Sequence, residues 1–305
     1  MSITNVISNT IRNYTYQDIK RSLTDPETII SEINQIYNHW RAGQRYNPDG
    51  IDIFDEDWDT LIILDACRYD EFQARSTLDG RLEHRISRGS TSPEFVRGNF
   101  SGKTLHDVVY VSANAWFAQL KDDIDAEVHS YEFVDRDAKD GITSKPETVT
   151  AAALDALSEY PNKRLIIHYM QPHWPYLGPT GDKFPDARFF KGVRSEETTH
   201  EDIMQAYREN LDLVLEEVET LLDHDVGKTV VTADHGELLG DREKPIPIKA
   251  YRHPEGIHVD SLVKVPWQIF ETDERRVIKS ERPESFEPEV TDEQVTENLR
   301  DLGYM

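Results

Sequence analysis

The stretch Val230-Val231-Thr232-Ala233-Asp234-His235-Gly236-Glu237 decides how the chain is read. Thr229 to Val231 reads as a short buried strand, bounded at its far end by Thr232-Ala233. Asp234 and His235 follow at once, and both can bind a divalent metal. Gly236 lets the backbone turn sharply behind them. A strand that empties into Asp-His-Gly sets its ligands at the C-terminal edge of a sheet. In open α/β sheets ligands bind at that edge. Two ligands do not make a metal site, so the rest of the chain must supply others.

Composition narrows the setting. The chain has 305 residues, enough for one large α/β domain or two small ones. Acidic residues outnumber basic ones 58 to 34, for a formal net charge of −24. That balance argues against nucleic acid or an anionic membrane as a partner, since phosphate attracts positive charge. The acids are spread along the whole chain. This fits a salt-adapted cytoplasm, where self-repulsion is screened; an ordinary acidic protein is the plainer reading. Cys67 is the single cysteine, so no intrachain disulfide and no cysteine zinc site can form. No apolar run reaches the ~18 residues of a transmembrane helix, and the first residues lack a signal-peptide layout. The expectation is a cytoplasmic chain with no transmembrane segment.

Residues 1–50 read as an N-terminal helical extension. Ile30, Ile33, Ile36, Tyr37 and Trp40 recur at helical spacing, as a stripe expected to pack on the main domain. Asn47-Pro48-Asp49-Gly50 ends the extension in a turn. Residues 51–305 read as one α/β domain. Leu61 to Leu64, Val108 to Ser112, Leu165 to Met170 and Thr229 to Thr232 are its expected strands, with Val265 to Phe270 at an edge because of Pro266. Helices are expected over residues 146–160 and 196–224, with a short last one from Glu293 to Leu302 capped by Gly303. Thr272 to Thr291 is charged and is expected at the surface. Alternating strands and helices imply a mostly parallel central sheet with helices on both faces.

Three strands then end in ionisable residues: Leu64 in Asp65, Ile167 in His168, and Thr232 in Asp234-His235. A parallel sheet brings such ends side by side, and carboxylate with imidazole suits zinc, manganese or a similar ion. Each alone has a plainer meaning, an N-cap for Asp or a satisfied core group for His. Ser90-Thr91-Ser92-Pro93-Glu94 offers three hydroxyls at a helix start, where backbone N–H groups favour anions; an ordinary N-cap is the alternative. The loop from His168 through Pro172-His173-Trp174-Pro175-Tyr176 is stiffened by proline and carries a second imidazole. His253 and His258 lie on a later loop, and either could be a ligand or a leaving-group acid.

These pieces resemble, in order, the sulfatase-like branch of the alkaline phosphatase superfamily. The resemblance rests on Leu64-Asp65-Ala66-Cys67-Arg68-Tyr69-Asp70, the His173 loop, Asp234-His235-Gly236-Glu237 and the ending Leu299 to Tyr304, and it spans residues 58–305. It implies the alkaline phosphatase-like fold, a mixed sheet between helices. It implies Asp65, Asp234 and His235 as metal ligands and His173 at the substrate's anionic oxygens. Arg68 and Asp70 match the family's Arg-x-Asp after the first ligand, which implies a structural or supporting role for them.

The departures matter as much. The Cys-x-Pro-x-Arg or Ser-x-Pro-x-Arg segment that becomes formylglycine is absent, and the frequent second Asp is Ala66 here. Ser90-Thr91-Ser92 instead resembles the Thr-Ser segment of phosphoglycerol and phosphoethanolamine transferases, whose Thr is both nucleophile and metal ligand. The Asp-x-x-x-His of two-metal members is also absent, since Asp212 is followed by Glu216.

The expectation is a hydrolase or transferase acting on phosphate esters through one divalent ion (manganese, zinc or calcium). Thr91, or else Ser92, is the nucleophile. The metal is held by Asp65, Thr91, Asp234 and His235. His173 with His258 or His253 serves the leaving group, and His168, His173, His253 and Arg68 face an anionic ester of a glycan or lipid headgroup. The alternatives are a sulfatase, a phosphonate hydrolase, or a non-catalytic binder of anionic sugars or headgroups.

Overall fold

The computed structural model describes residues 26–134, 136–184, 199–224, 227–283 and 292–301. Seven strands form one sheet: β1 Thr60–Leu64, β2 Arg81–Ile86, β3 Thr104–Ser112, β4 Glu127–Phe133, β5 Arg164–Tyr169, β6 Thr229–Thr232 and β7 Lys264–Phe270. Their order across the sheet is β2-β7-β6-β1-β5-β3-β4. β1 pairs in parallel with β5 and β6, and β3 in parallel with β4 and β5. β7 runs antiparallel to both β6 and β2. The sheet is thus mostly parallel with a mixed end.

The helices among the described residues are α1 Pro26–Ala42, α2 Tyr69–Arg75, α3 Ser92–Phe100, α4 Trp116–Leu120, α5 Pro146–Glu159, α6 His200–Leu222, α7 Asp260–Val263 and α8 Asp292–Asp301. They cover both faces. Ile62, Leu64, Ile167 and Val231 point to one face, where Val149 and Ala153 of α5 meet Ile203, Leu211, Val214 and Val218 of α6. Leu61, Ile63, Ile166 and Val230 point to the other, onto Phe95 and Phe100 of α3 and Phe117 of α4. This is the period-two alternation of a strand that is buried on both sides. A capping box of Thr199 and Asp202 starts α6, and Val295 and Leu299 of α8 pack on Ala115. No helix among the described residues is long and apolar enough to cross a membrane.

Several expectations change. β7 is not an edge strand: it lies between β2 and β6. The edge belongs to β2, a charged and half-exposed run that carries no apolar signal. β4 was likewise not expected. α1 docks through the opposite side from its apolar stripe. Ile33, Tyr37 and Trp40 are 46 %, 41 % and 47 % exposed, whereas Ser31 and Asn34 are buried. Asn34 meets both backbone groups of Ile246, accepting from its N–H at 2.9 Å and donating to its oxygen at 2.9 Å. Ser31 Oγ and Asn34 Nδ2 also donate to the buried Glu243 carboxylate at 2.8 and 3.1 Å. A buried carboxylate needs donors, and an apolar face has none to give. Residues 1–25 of the extension, 196–198 of the long helix, 284–291 of the charged stretch, and Leu302, Gly303 and Tyr304 lie outside the described residues.

The centre of the sheet sets the stability. Ile62 is buried in β1 with neighbouring strands on either side. Ile62→Ala is expected to destabilise the chain by about 2–5 kcal/mol. Urea denaturation followed by circular dichroism measures it.

Candidate metal centre and nucleophile

The ends of β1 and β6 bring two carboxylates together. The chain leaves β1 through Asp65 and then Ala66, which has a left-handed backbone at φ 59°. An alanine pays a steric penalty there, so the surroundings must hold it. They do: Tyr207 Oη donates to the Ala66 oxygen at 2.8 Å and accepts from the Arg68 N–H at 3.0 Å. The Ala66 N–H in turn donates to Asp234 Oδ1 at 3.1 Å. The turn after β6 is equally tight. A Cβ on Gly236 would lie 2.2 Å from the Ser261 oxygen, so a close approach demands glycine there.

His235 is fixed as a specific tautomer. Its Nδ1 lies 2.7 Å from the Gly236 oxygen and donates to it, which leaves the Nε2 lone pair free to bind. That Nε2 lies 3.5 Å from Asp65 Oδ1 and 3.4 Å from Asp234 Oδ2. His168 approaches from below, with Nδ1 2.8 Å from Tyr110 Oη and Nε2 3.7 Å from Asp234 Oδ2. Asp65, His168 and Asp234 each offer a ligand atom within 4.8 Å of the others.

The donor set fits a divalent ion. Asp65 Oδ1, Asp234 Oδ2 and His168 Nε2 are buried and have no hydrogen-bond partner. Burial, with Asp234 opposite, pushes the Asp65 carboxyl well above the usual carboxylate range. Burial also opposes ionisation of Asp234, but His235 and His168 beside it hold its pKa below the ordinary value. Burial lowers His168 to about 4 and lowers His235 as well, so both imidazoles are neutral at physiological pH. Neutral imidazole and carboxylate are the ligand forms that a metal requires.

The hydroxyl beside this cluster belongs to Ser92. Its Oγ lies 3.4 Å from His235 Nε2. Asn114 Nδ2 donates to Ser92 Oγ at 3.0 Å and to Asp65 Oδ2 at 2.8 Å, which ties the hydroxyl to the first carboxylate. Thr91, expected as nucleophile and ligand, is instead the N-cap of α3. Its Oγ1 accepts from the Glu94 N–H at 3.4 Å. A capping hydroxyl points back into its own helix, so the next residue faces the cluster.

Other expected residues also divide. His173 is buried at the site, its N–H bound to the Asp65 oxygen at 3.1 Å. The His253 ring lies 4.9 Å from that of His173 and 4.7 Å from that of His235. Burial lowers His173 to about 3 and His253 to about 4. His258 does not join them: its Nε2 lies 3.4 Å from Glu94, whose buried carboxylate also accepts from Ser90 and the Gly256 N–H. Arg68 does not face a substrate either. It is bound to both oxygens of Asp70, to Asp241 and to the Glu237 oxygen. His168 groups with the carboxylates instead, its Nε2 3.7 Å from Asp234 Oδ2. Asn114 was missed, though it follows the end of β3 by two residues and the strand-end rule reaches it. Glu237 was read only as part of its motif. It is buried, and burial pushes it up to about 7.

Tyr207 holds the strained turn that aims Asp234. Tyr207→Phe removes the partner of two buried backbone groups and is expected to cost about 1–3 kcal/mol, read by thermal or urea denaturation.

No protein-family model matches the chain, and no curated protein matches it. Solved structures do. The C-terminal periplasmic domain of the phosphoethanolamine transferase EptC from Campylobacter jejuni is 15 % identical, with 70 % of this chain and 78 % of that chain covered and a TM-score of 0.44. The integral membrane phosphoethanolamine transferase EptA from Neisseria meningitidis is 12 % identical over 88 % of this chain and 59 % of that one, with a TM-score of 0.46. A putative sulfatase from Bacteroides thetaiotaomicron is 12 % identical over 74 % and 66 %, with a TM-score of 0.45. The chemistry of this chain is read from its own residues.

Proposed function

We propose that the chain is a metal-dependent transferase or hydrolase of phosphate esters in which Ser92 is the nucleophile. The observation that carries this reading is the position of Ser92 Oγ, at the N-terminus of α3 and against the Asp65, Asp234 and His235 ligand atoms. The ion would be held by Asp65, Asp234 and His235, with Ser92 beside them. When bound, it lowers the pKa of a nearby hydroxyl and offsets negative charge on the substrate. The first turn of α3 adds its N–H groups, which favour an anion at that end.

The residues then divide the work. Ser92 Oγ forms the new bond to phosphorus as the bond to the ester oxygen breaks, and the hydroxyl proton ends on the departing alcohol. Water, or an acceptor hydroxyl, displaces Ser92 in a second step. Asn114 donates to Ser92 Oγ, so it orients the lone pairs and takes no proton. The His253 ring lies against those of His173 and His235, so these imidazoles would meet the substrate's remaining oxygens. Both His173 and His253 are neutral, so they offer hydrogen bonds without adding charge.

Ser92→Ala is expected to lower turnover by at least ~10³-fold with the fold intact, since a nucleophile acts as part of one unit with its activators. Thr91→Ala is expected to cost about 1 kcal/mol of stability as a lost cap, while turnover persists. The assay is release of nitrophenol from phosphate monoester, phosphodiester and sulfate ester substrates with added zinc or manganese. Full activity of Ser92→Ala on any of them sinks the covalent reading. Turnover of the sulfate ester alone moves the chain to sulfoester chemistry. Stoichiometric metal without turnover of any ester favours the non-catalytic binder.

A further inference from the structure

The arm of residues 237–253 leaves the site and returns to it. Its two limbs run side by side. The Leu238 N–H donates to the Arg252 oxygen, the Gly240 N–H to the Ala250 oxygen and the Glu243 N–H to the Ile248 oxygen, at 3.2, 2.8 and 2.9 Å. Glu237 stands at one end and His253 at the other, with Glu237 Oε2 2.8 Å from His253 Nδ1. The far end is the turn around Ile246, and α1 holds it. Asn34 meets both backbone groups of Ile246, and Asn38 Nδ2 donates to the Lys244 oxygen at 3.1 Å. Ser31 and Asn34 both donate to the buried Glu243 carboxylate. Arg252, the neighbour of His253, donates to the same carboxylate at 3.2 Å. Glu243 thus joins α1 to the limb that carries His253.

This docking is not what the composition of α1 favours. A helix of this kind is ordinarily stabilised by burying its apolar face. Here Ile33, Tyr37 and Trp40 are exposed, and no apolar residue of α1 among those described joins a buried cluster. The contact is made by polar groups around one buried carboxylate, and such bonds add little net stability. A local rule broken without a gain in packing is expected where function requires it. The functional group within reach is His253, whose ring lies against those of His173 and His235. The far side of His253 is fastened separately. Ser90 Oγ donates to the Pro254 oxygen at 3.0 Å, and the Gly256 N–H donates to Glu94 at 3.0 Å.

We infer that Ser31 and Asn34 of α1 are positioning residues: through Glu243 and the Ile246 turn they fix the 237–253 arm, and with it the place of His253 in the site. Without them Glu243 loses two of its side-chain donors. A buried carboxylate short of donors is driven toward water, and Arg252 moves with it. His253 is the next residue, so its imidazole then stands in place in only a fraction of the molecules. Asp65, Asp234, His235 and Ser92 lie outside the arm and keep their positions. For its chemistry this inference rests on the proposed function, in which these imidazoles meet the substrate. A substrate that needs His253 draws it back, so apparent affinity falls by the competent fraction while the saturated rate stays. α1 precedes residues 58–305, so the resemblance does not imply this contact.

The test is a mutant cycle on the full chain, with zinc and the nitrophenyl ester that the wild type turns over. Ser31→Ala with Asn34→Ala is expected to raise KM about tenfold with kcat within about twofold. In a His253→Ala background the same pair is expected to change KM by less than about twofold, because the route to the site is already cut. An unchanged KM in the wild-type background, or the same rise in both, overturns the proposal. Ile33→Ala, on the exposed stripe, is expected to leave KM as it is, and a matching rise there also overturns it. A second readout needs no turnover. The chain is labelled with nitrogen-15 histidine, and the His253 imidazole signal is identified by its loss in His253→Ala. That signal is expected to shift or broaden in the Ser31, Asn34 variant, while the signals of histidines outside the site stay and show that the fold is intact. A His253 signal that does not move overturns the proposal. A signal that moves in a chain with no ester turnover upholds the link from α1 to His253 and sinks the proposed function instead. Should the pair not fold, Asn34→Ala alone is read in the same way.

Discussion

Two buried carboxylates that face each other, Asp65 and Asp234, are the constraint on which the rest depends. The oxygens they aim into the centre, Asp65 Oδ1 and Asp234 Oδ2, have no hydrogen-bond partner, and His235 Nε2 stands 3.5 and 3.4 Å from them. Like charges in a dry site cannot both ionise freely. The result is visible in their opposite shifts, Asp65 up and Asp234 down. Such a pair is stable only with something positive between, and the imidazoles around it are neutral. The site is thus poorly suited to stand alone and well suited to a cation.

The remaining architecture holds that pair in place. β1 and β6 are adjacent and parallel, so their C-terminal ends deliver Asp65 and Asp234 to the same point. Both strands are buried on both faces, which makes them a rigid mount. Ala66 accepts a left-handed backbone so that its N–H can reach Asp234, and Tyr207 of α6 fastens that turn from the opposite face. Local strain at a site, held by packing elsewhere, is the expected signature of function rather than of stability. α1 contributes at a distance. It grips the segment around Glu243 and Ile246, and Glu243 also accepts from Arg252, next to His253.

The proposed nucleophile shows how fine the discrimination is. Thr91 and Ser92 are adjacent hydroxyls of similar chemistry, and the helix decides between them. The residue that caps α3 must turn its oxygen toward the first-turn N–H groups, and Thr91 does so. Ser92, one position on, is then carried round to face His235 and Asn114. His258 and Arg68 are excluded on similar grounds. Each is taken by carboxylates outside the cluster, Glu94 for one and Asp70 with Asp241 for the other.

The sequence by itself determined the sheet's central strands, the major helices and the place of Asp65, Asp234 and His235 at strand ends, because these depend on local patterns. An apolar run that stops at an ionisable residue is a short-range signal, and a parallel sheet then aligns such ends wherever it forms. Only the tertiary structure decided the rest. β2 and β4 lack an apolar run and are strands only because β7 and β3 offer them partners. The stripe of Ile33, Tyr37 and Trp40 promised an apolar contact, yet the buried Glu243 carboxylate selected the polar side of α1 instead. Asn114 and Glu237 stand close behind strand ends in the sequence, but only the fold shows that Asn114 meets Asp65 and that Glu237 meets His253. Which hydroxyl meets the ligands depends on the phase of one helix start, set by a cap that forms only once the chain has folded.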